Sequence, residues 1–263
     1  MNTEKMRFSF NAKSICWDKG ETLIDEVSIS VNTGEIIGLV GPSGCGKSTI
    51  LKAFAGRDKR IKADCLRKRI SSNANESGLS IDDCVLMPQD SLDGLLTWYN
   101  TEKYLKIVSA DRQKLTRTYL IQLVEQLGLP SNVLSELPLN LSGGQRRRVL
   151  LLATLLTQCD VAFLDEPFVG LDLDVRKKAI DFLRLAITSR NEHFTGCGAA
   201  IVVSHSLEDL SMLCEKVAVA NLSADRKLTF KILDFSAIKV EKEFRKVDEL
   251  LWRQNLIRKA LGY

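Results

Sequence analysis

The chain has 263 residues, 45% of them hydrophobic, with 37 Lys and Arg against 33 Asp and Glu for a formal net charge of +4. That length suits one large domain or two small ones; the apolar share excludes disorder, and the charge is too weak for a nucleic-acid surface. Seven cysteines, an odd number without a paired CxxC, and five prolines argue against a disulfide framework, a zinc site or a Pro-rich scaffold. The longest apolar run, residues 149–156, falls far short of the ~20 residues of a membrane helix. Residues 1–5 carry no apolar segment that could serve as a secretory signal. The expectation is a soluble chain of a reducing, cytosolic compartment.

Residues 7–10 and 27–31 alternate apolar and polar positions and predict strands with one buried face. Asn32-Thr33-Gly34 is a turn signal, and 36–40 is a nearly all-apolar run, as for a strand buried on both faces. A glycine-rich loop comes next, after which Ile50, Leu51 and Phe54 continue at helical spacing as far as Gly56. Residues 57–80 are basic and polar and yield no clear element. The stretch 101–127, with Leu105, Val108, Leu120, Leu123, Val124 and Leu127 and no Pro or Gly, reads as helical, and Pro130 and Pro138 punctuate the connection after it. A helix from near Ser142 through Leu155 precedes a strand at 161–165, a helix at 175–188 and a strand at 199–204. This alternation indicates a parallel sheet covered by helices, an α/β architecture. Two short strands at 216–220 and 227–233 lead to a charged tail, where Ile238, Val240, Phe244, Val247, Leu250 and Leu251 suggest an amphipathic helix covering the domain. His193 reads as a loop residue.

Gly41-Pro42-Ser43-Gly44-Cys45-Gly46-Lys47-Ser48-Thr49 fits G-x-x-x-x-G-K-[ST] between a buried strand and a helix. A polyphosphate needs many donors in a tight arc, and glycines let successive N–H groups point inward. The helix that begins near Lys47 adds the positive end of its dipole. Lys47 would reach the β- and γ-phosphates, and the Ser48 hydroxyl would hold Mg²⁺. The pattern predicts nucleoside triphosphate binding; the Cys45 side chain is expected to point away, the alternative being a reactive thiol near the positive helix end.

The apolar strand 161–164 ends in Asp165-Glu166-Pro167. Adjacent strand residues face opposite ways, so the two carboxylates take different roles. Asp165 suits a hard cation such as magnesium. Glu166, at a turn fixed by Pro167, can orient or deprotonate a water that attacks the γ-phosphate, a contribution of typically ~10²–10⁴ in rate.

Leu141-Ser142-Gly143-Gly144-Gln145 lies between cradle and acidic strand and runs into Arg146-Arg147-Arg148 and an apolar helix. A serine and two glycines at a helix start make a second anion-binding nest. The pentapeptide resembles the signature of ATP-binding cassette (ABC) ATPases, and the resemblance covers nearly the whole chain. It implies an α/β P-loop NTPase core of the ABC type with an N-terminal antiparallel β subdomain and an inserted α-helical subdomain. The whole chain, 1–263, is then one ABC ATPase domain: core 1–88 and 141–233, helical subdomain 89–140, tail 234–263.

The same resemblance implies further roles. Gln89 matches the glutamine loop that reports on magnesium and couples to a partner. Val169-Gly170-Leu171-Asp172 matches the loop that crosses the dimer interface, with Arg176 on the next helix. His205 matches the switch histidine that senses the γ-phosphate, and Trp17 the aromatic that stacks on adenine, worth ~1–3 kcal/mol by analogy with base stacking. The sequence departs from the family at Val169, where a small polar residue is usual, and at 57–80, which lack the usual Pro-Gly turn ahead of a strand pair. Arg57-Asp58-Lys59-Arg60 and Arg67-Lys68-Arg69 read as a solvated face, with anionic lipid headgroups as the alternative contact.

In the family each ATP site is shared, the cradle and acidic end of one subunit facing the signature of the other. That implies ATP and Mg²⁺ as cofactors, hydrolysis of ATP to ADP and phosphate, and a second ABC ATPase subunit, identical or closely related. It further implies transmembrane permease subunits docked on the glutamine-loop groove, a solute-binding protein as an additional partner, and no nucleic acid. Glu166-Pro167-Phe168 resembles importer cassettes, so the expected role is energy coupling for small-solute import at the cytoplasmic face of the inner membrane. The alternative is a soluble ABC ATPase untied to transport, for example in iron–sulfur cofactor assembly.

Overall fold

The computed structural model describes residues 6–18, 22–188, 197–222, 228–236 and 246–262. Among the residues with a sequence-based expectation, His193, Lys227, Ile238, Val240 and Phe244 lie outside the described residues. In chain order the elements are β1 (Arg7–Trp17), β2 (Thr22–Asn32), β3 (Ile36–Val40), α1 (Lys47–Ala55), β4 (Ile61–Ile70), β5 (Glu76–Gly78) and β6 (Cys84–Met87). Then come α2 (Thr101–Val108), α3 (Arg117–Gln126), α4 (Gly143–Leu156), β7 (Cys159–Asp165), α5 (Leu173–Thr188) and β8 (Cys197–Val203). The chain continues through α6 (Leu207–Leu213), β9 (Lys216–Leu222), β10 (Leu228–Asp234) and α7 (Lys246–Leu261). Two compact units divide it: Met1–Ile81 with Ile201–Tyr263, and Asp82–Ala200.

The first unit carries an antiparallel sheet in the order β2-β1-β4-β5. Phe8, Phe10 and Ala12 of β1 are buried on alternate positions, and the register sets Phe8 against Val31 and Phe10 against Ile29. The Phe10 ring lies 5.4 Å from that of Phe54 on α1, so this sheet covers the helix that succeeds the glycine loop. A second set of strands runs β10-β9-β3, with β3 and β9 parallel, Leu39 opposite Ala218. Every residue of β3 is buried, as its unbroken apolar run demands.

Residues 57–80 resolve into the missing strand pair. Helix α1 ends in a Schellman turn: Gly56, at φ 63°, donates to Ala53, and the Arg57 N–H donates to Lys52 O. Arg67 of β4 then reaches back to donate to Phe54 O at 2.7 Å and Ala53 O at 2.9 Å, closing carbonyls at the end of α1. Lys68 pairs with Glu76 on β5 at 2.5 Å. The expectation of a solvated basic face therefore fails at Arg67, which is half-buried and structural; β4 was hard to see because this inward position holds a long charged side chain whose head finds carbonyl partners.

Within the tail, Lys246–Leu261 forms helix α7, and of the apolar positions expected to anchor it Leu250 and Leu251 have described side chains. Leu251 is exposed and Leu250 half-buried, whereas Ile257 is fully buried. Arg253 donates to Ser211 O and Cys214 O, both at 3.2 Å, and its guanidinium sits 5.1 Å from the Phe235 ring centroid. Trp252 meets the same ring edge-on at 6.3 Å.

In the second unit β7 pairs with β6 in parallel, Cys84 opposite Val161, and β7 also neighbours β8. Helix α4 is its core: Val149 to Leu156 are all buried. The stretch 101–127 is two helices, not one. Asn100 caps α2 by accepting from the Lys103 N–H at 2.9 Å, and Thr116 caps α3 by accepting from that of Tyr119 at 3.2 Å. Between them Ser109 turns extended and its hydroxyl accepts from the Asp111 N–H, a local bond that competes with helix continuation.

Candidate nucleotide site

In the first unit, β3 delivers the glycine loop to α1. Gly41 has no room for a side chain: a Cβ there would lie 2.7 Å from Ala220 Cβ and 3.1 Å from Cys45 Sγ. Gly46 sits at φ 97°, a conformation that requires glycine, while the nearest atom to a Cβ there, Ile24 Cδ1 at 2.7 Å, is the yielding end of a flexible side chain. Lys47 opens α1 and is only 5% exposed. Its ammonium donates to Gly41 O and Pro42 O, each at 2.9 Å, and lies 3.9 Å from Cys45 Sγ. The charge is thus held over the loop that it is expected to serve.

Pro42, Ser43 and Gly44 are exposed, Ser48 and Thr49 half-buried, and the Cys45 side chain is buried. Trp17 ends β1, half-buried, in register with Ile61. His205 comes after the buried Ser204 and stands exposed just before α6.

In the second unit, β7 ends in two buried carboxylates, Asp165 and Glu166, the latter 7% exposed. Glu166 has φ 51°, an uncommon conformation for a residue with a side chain and one concentrated at functional sites. Its carbonyl accepts from the Val169 N–H, turning the chain into the loop 169–172. Val169 is 52% exposed there, Leu171 buried and Asp172 exposed; Arg176 donates to Leu171 O at 3.0 Å.

The signature starts α4. Leu141 is buried, Ser142 and Gly143 exposed. Ser142 Oγ accepts from the Gln145 N–H at 3.3 Å, and Gln145 Oε1 accepts from the Ser142 N–H at 2.9 Å, a complete capping box. Gln145 is therefore spent on the helix start, while the first-turn N–H groups of Gly143 and Gly144 lack intrahelical partners.

The three arginines that come next occupy successive helical positions and must diverge. Arg146 donates to Leu141 O at 2.9 Å; Arg148 donates to Leu127 O at 3.0 Å and Gly128 O at 2.7 Å. Arg147 donates to Pro88 O at 3.1 Å and Gln89 O at 2.5 Å. Burial pulls the Arg147 guanidinium below its ordinary range, and the charges of Asp165, Glu166 and Asp90 oppose that pull. Sequence reasoning missed Arg147 as a positioning residue; the available signal was that a triplet on one helix cannot all face solvent. Gln89 itself is exposed. Within this unit Gln89, Gly143, Gly144, Arg147, Val169 and Gly170 border one cavity of about 490 Å³, so the glutamine loop, the signature and the loop 169–172 converge.

The family model described as ABC transporter matches residues 24–169, more than half of the chain, from β2 through the acidic end to Val169. The chain belongs to the ABC transporter family. Among this family's curated relatives, the maltose/maltodextrin import ATP-binding protein MalK of Vibrio vulnificus strain YJ016 is 33% identical over 217 residues, 80% of this chain and 55% of that protein. The chain thus spans about half the length of that relative. The aliphatic sulfonates import ATP-binding protein SsuB 2 of Pseudomonas syringae pv. tomato is 30% identical over 200 residues, 76% of each chain. Among solved structures, the dimeric post-hydrolysis state of the ATP-binding cassette MJ0796 bound to ADP and Pi superposes with a TM-score of 0.66 at 17% identity, covering 88% of this chain and all of that one. The ABC fold is thereby established: an α/β P-loop core with an antiparallel β sheet near the N-terminus and inserted helices. No helix among the described residues of this ABC chain is long and apolar enough to cross a membrane.

Proposed function

We propose that this chain is the ATP-hydrolysing, energy-coupling subunit of a membrane importer for a small solute, acting as a pair of copies that sandwich two Mg·ATP. The observation that carries the reading is the convergence within one unit of Gly143 and Gly144 of the signature, the glutamine loop and the loop after Glu166, with Ser142 and Gly143 exposed. A nest turned outward at a helix start suits a phosphate brought by another molecule. The cradle and the signature both occur in this chain, so two copies complete two sites.

In each site Lys47 and the loop N–H groups bind the triphosphate, and Trp17 stacks on adenine. Glu166 orients and deprotonates a water, whose oxygen attacks the γ-phosphorus as the bond to the ADP oxygen breaks. His205 reads the γ-phosphate and Asp172 lies at the pair's interface. Ser48, Asp165 and Gln89 each carry the hard oxygen donors that Mg²⁺ prefers, and these residues would hold the ion. When bound, that ion neutralises charge on the phosphate oxygens.

The import names of MalK and SsuB 2 support an import role; permease subunits, a solute-binding protein and a place at the cytoplasmic face of the inner membrane complete the proposal. The test compares wild type with Glu166→Gln for binding and hydrolysis of Mg·ATP. Binding retained and turnover reduced to background is expected; unchanged turnover removes Glu166 from the mechanism. Copurification with an apolar multispan chain from detergent-solubilised membranes tests the coupling, and recovery from the soluble fraction alone opposes it.

A further inference from the structure

Cys84, Cys159 and Cys197 open β6, β7 and β8, all three within the second unit and all buried. None belongs to the nucleotide machinery. Cys84 lies opposite Val161, two residues past Cys159, so Cys84 and Cys159 share a sheet face on a diagonal. Such diagonals run about 7–8 Å between Cα atoms, at or beyond the ~7 Å limit for bridging without backbone movement.

Cys197 stands differently. Its Sγ is 2.9 Å from Cys159 Sγ, roughly 0.9 Å longer than the ~2.05 Å of a formed disulfide. The Cys197 thiol is also 3.5 Å from Thr154 O and 3.7 Å from Thr157 O at the end of α4, contacts that hold its sulfur beside Cys159. A soft metal would need further ligands, and the described residues offer no cluster of three for one. The remaining chemistry open to two apposed thiols is oxidation of the pair.

We propose that Cys159 and Cys197 form a modification site, a buried dithiol that a small peroxide converts to an intrachain disulfide. One sulfur attacks the O–O bond of hydrogen peroxide and becomes a sulfenic acid, and its proton leaves in the water released. The second sulfur then attacks that sulfenyl sulfur: the S–S bond forms, the S–O bond breaks, and a second water departs with the second thiol's proton. Two thiols and one peroxide yield one disulfide and two waters, and the peroxide takes up the two electrons. The hydrogen bond to Cys197, with burial, raises the Cys159 thiol well above its ordinary range, so the reaction starts from a small thiolate fraction and is slow. The loop it closes contains Asp165, Glu166 and 169–172, whose freedom in the unfolded chain the bond would restrict.

The test exposes the full chain to hydrogen peroxide, alkylates remaining thiols under denaturing conditions and maps peptides without reduction. The expected product links the Cys159 and Cys197 peptides, lighter than their sum by two hydrogen atoms. The thermal midpoint should rise and return to its starting value with dithiothreitol. Cys84→Ala should leave the link intact, and Cys159→Ser should abolish both link and midpoint shift. Both thiols still alkylated after the half-buried Cys16 has been oxidised, or a Cys84–Cys159 link in place of the expected one, overturns the proposal.

Discussion

At Lys47 a buried ammonium rests on two carbonyls of its own loop, both at 2.9 Å, which fixes its charge at the loop. Phosphate oxygens offer stronger, charge-assisted acceptors, worth roughly 1.5–3 kcal/mol. Lys47→Ala should weaken ATP binding roughly 10- to 100-fold, as read by calorimetric titration; binding within twofold of wild type would remove Lys47 from the site. Arg147 gives a second test at this scale. Its two donations to Pro88 and Gln89 carbonyls fix the glutamine loop to α4. Arg147→Ala should lower the unfolding free energy by about 1.5–3 kcal/mol in urea titration. Arg147→Lys should rescue only part of this, because a point ammonium cannot reproduce the planar fork.

The loop motif, the acidic pair and the signature were legible as residues because each sits where an element begins or ends. Arg147 was not, since its role depends on a partner 58 residues away in sequence. Gln145 shows the reverse: its motif was legible, while the engagement of its side chain in a capping box emerges from the helix it starts.

Elements whose burial obeys a simple period were readable. The run of β3 and the apolar length of α4 announce themselves because every position is buried or nearly so. The break between α2 and α3 was hidden, because no Pro or Gly marks it and the stop lies in the side-chain bonds of Ser109 and Thr116. β4 was hidden by Arg67, a charged residue that closes a helix end.

Capping and burial each carry a prediction for a whole element. Ser142→Ala removes half of the capping box of α4 and should cost about 1 kcal/mol of stability without nucleotide, measured by urea unfolding; no loss would mean that the box contributes nothing. Tyr104 of α2 is buried and donates to Gly94 O at 2.7 Å, and burial pushes its pKa to about 12. Since the unfolded value is near 10, this residue's contribution is complete below pH ~10 and falls away as pH rises through about 12. Stability measured across that window should decline less steeply in Tyr104→Phe than in wild type.

For the whole molecule, the proposed function rests on pairing. One copy holds the cradle, the acidic end and the signature, but Ser142 and Gly143 of the signature are exposed, and the proposal seats there a triphosphate carried by another copy. In that proposal ATP acts as the joint between the two copies, and hydrolysis releases it. The most direct measurement is the mass of Glu166→Gln in solution by sedimentation, with and without saturating Mg·ATP. The expected result is one copy without nucleotide and two copies with it, returning to one when nucleotide is removed. A single-copy mass with ATP fully bound would contradict pairing.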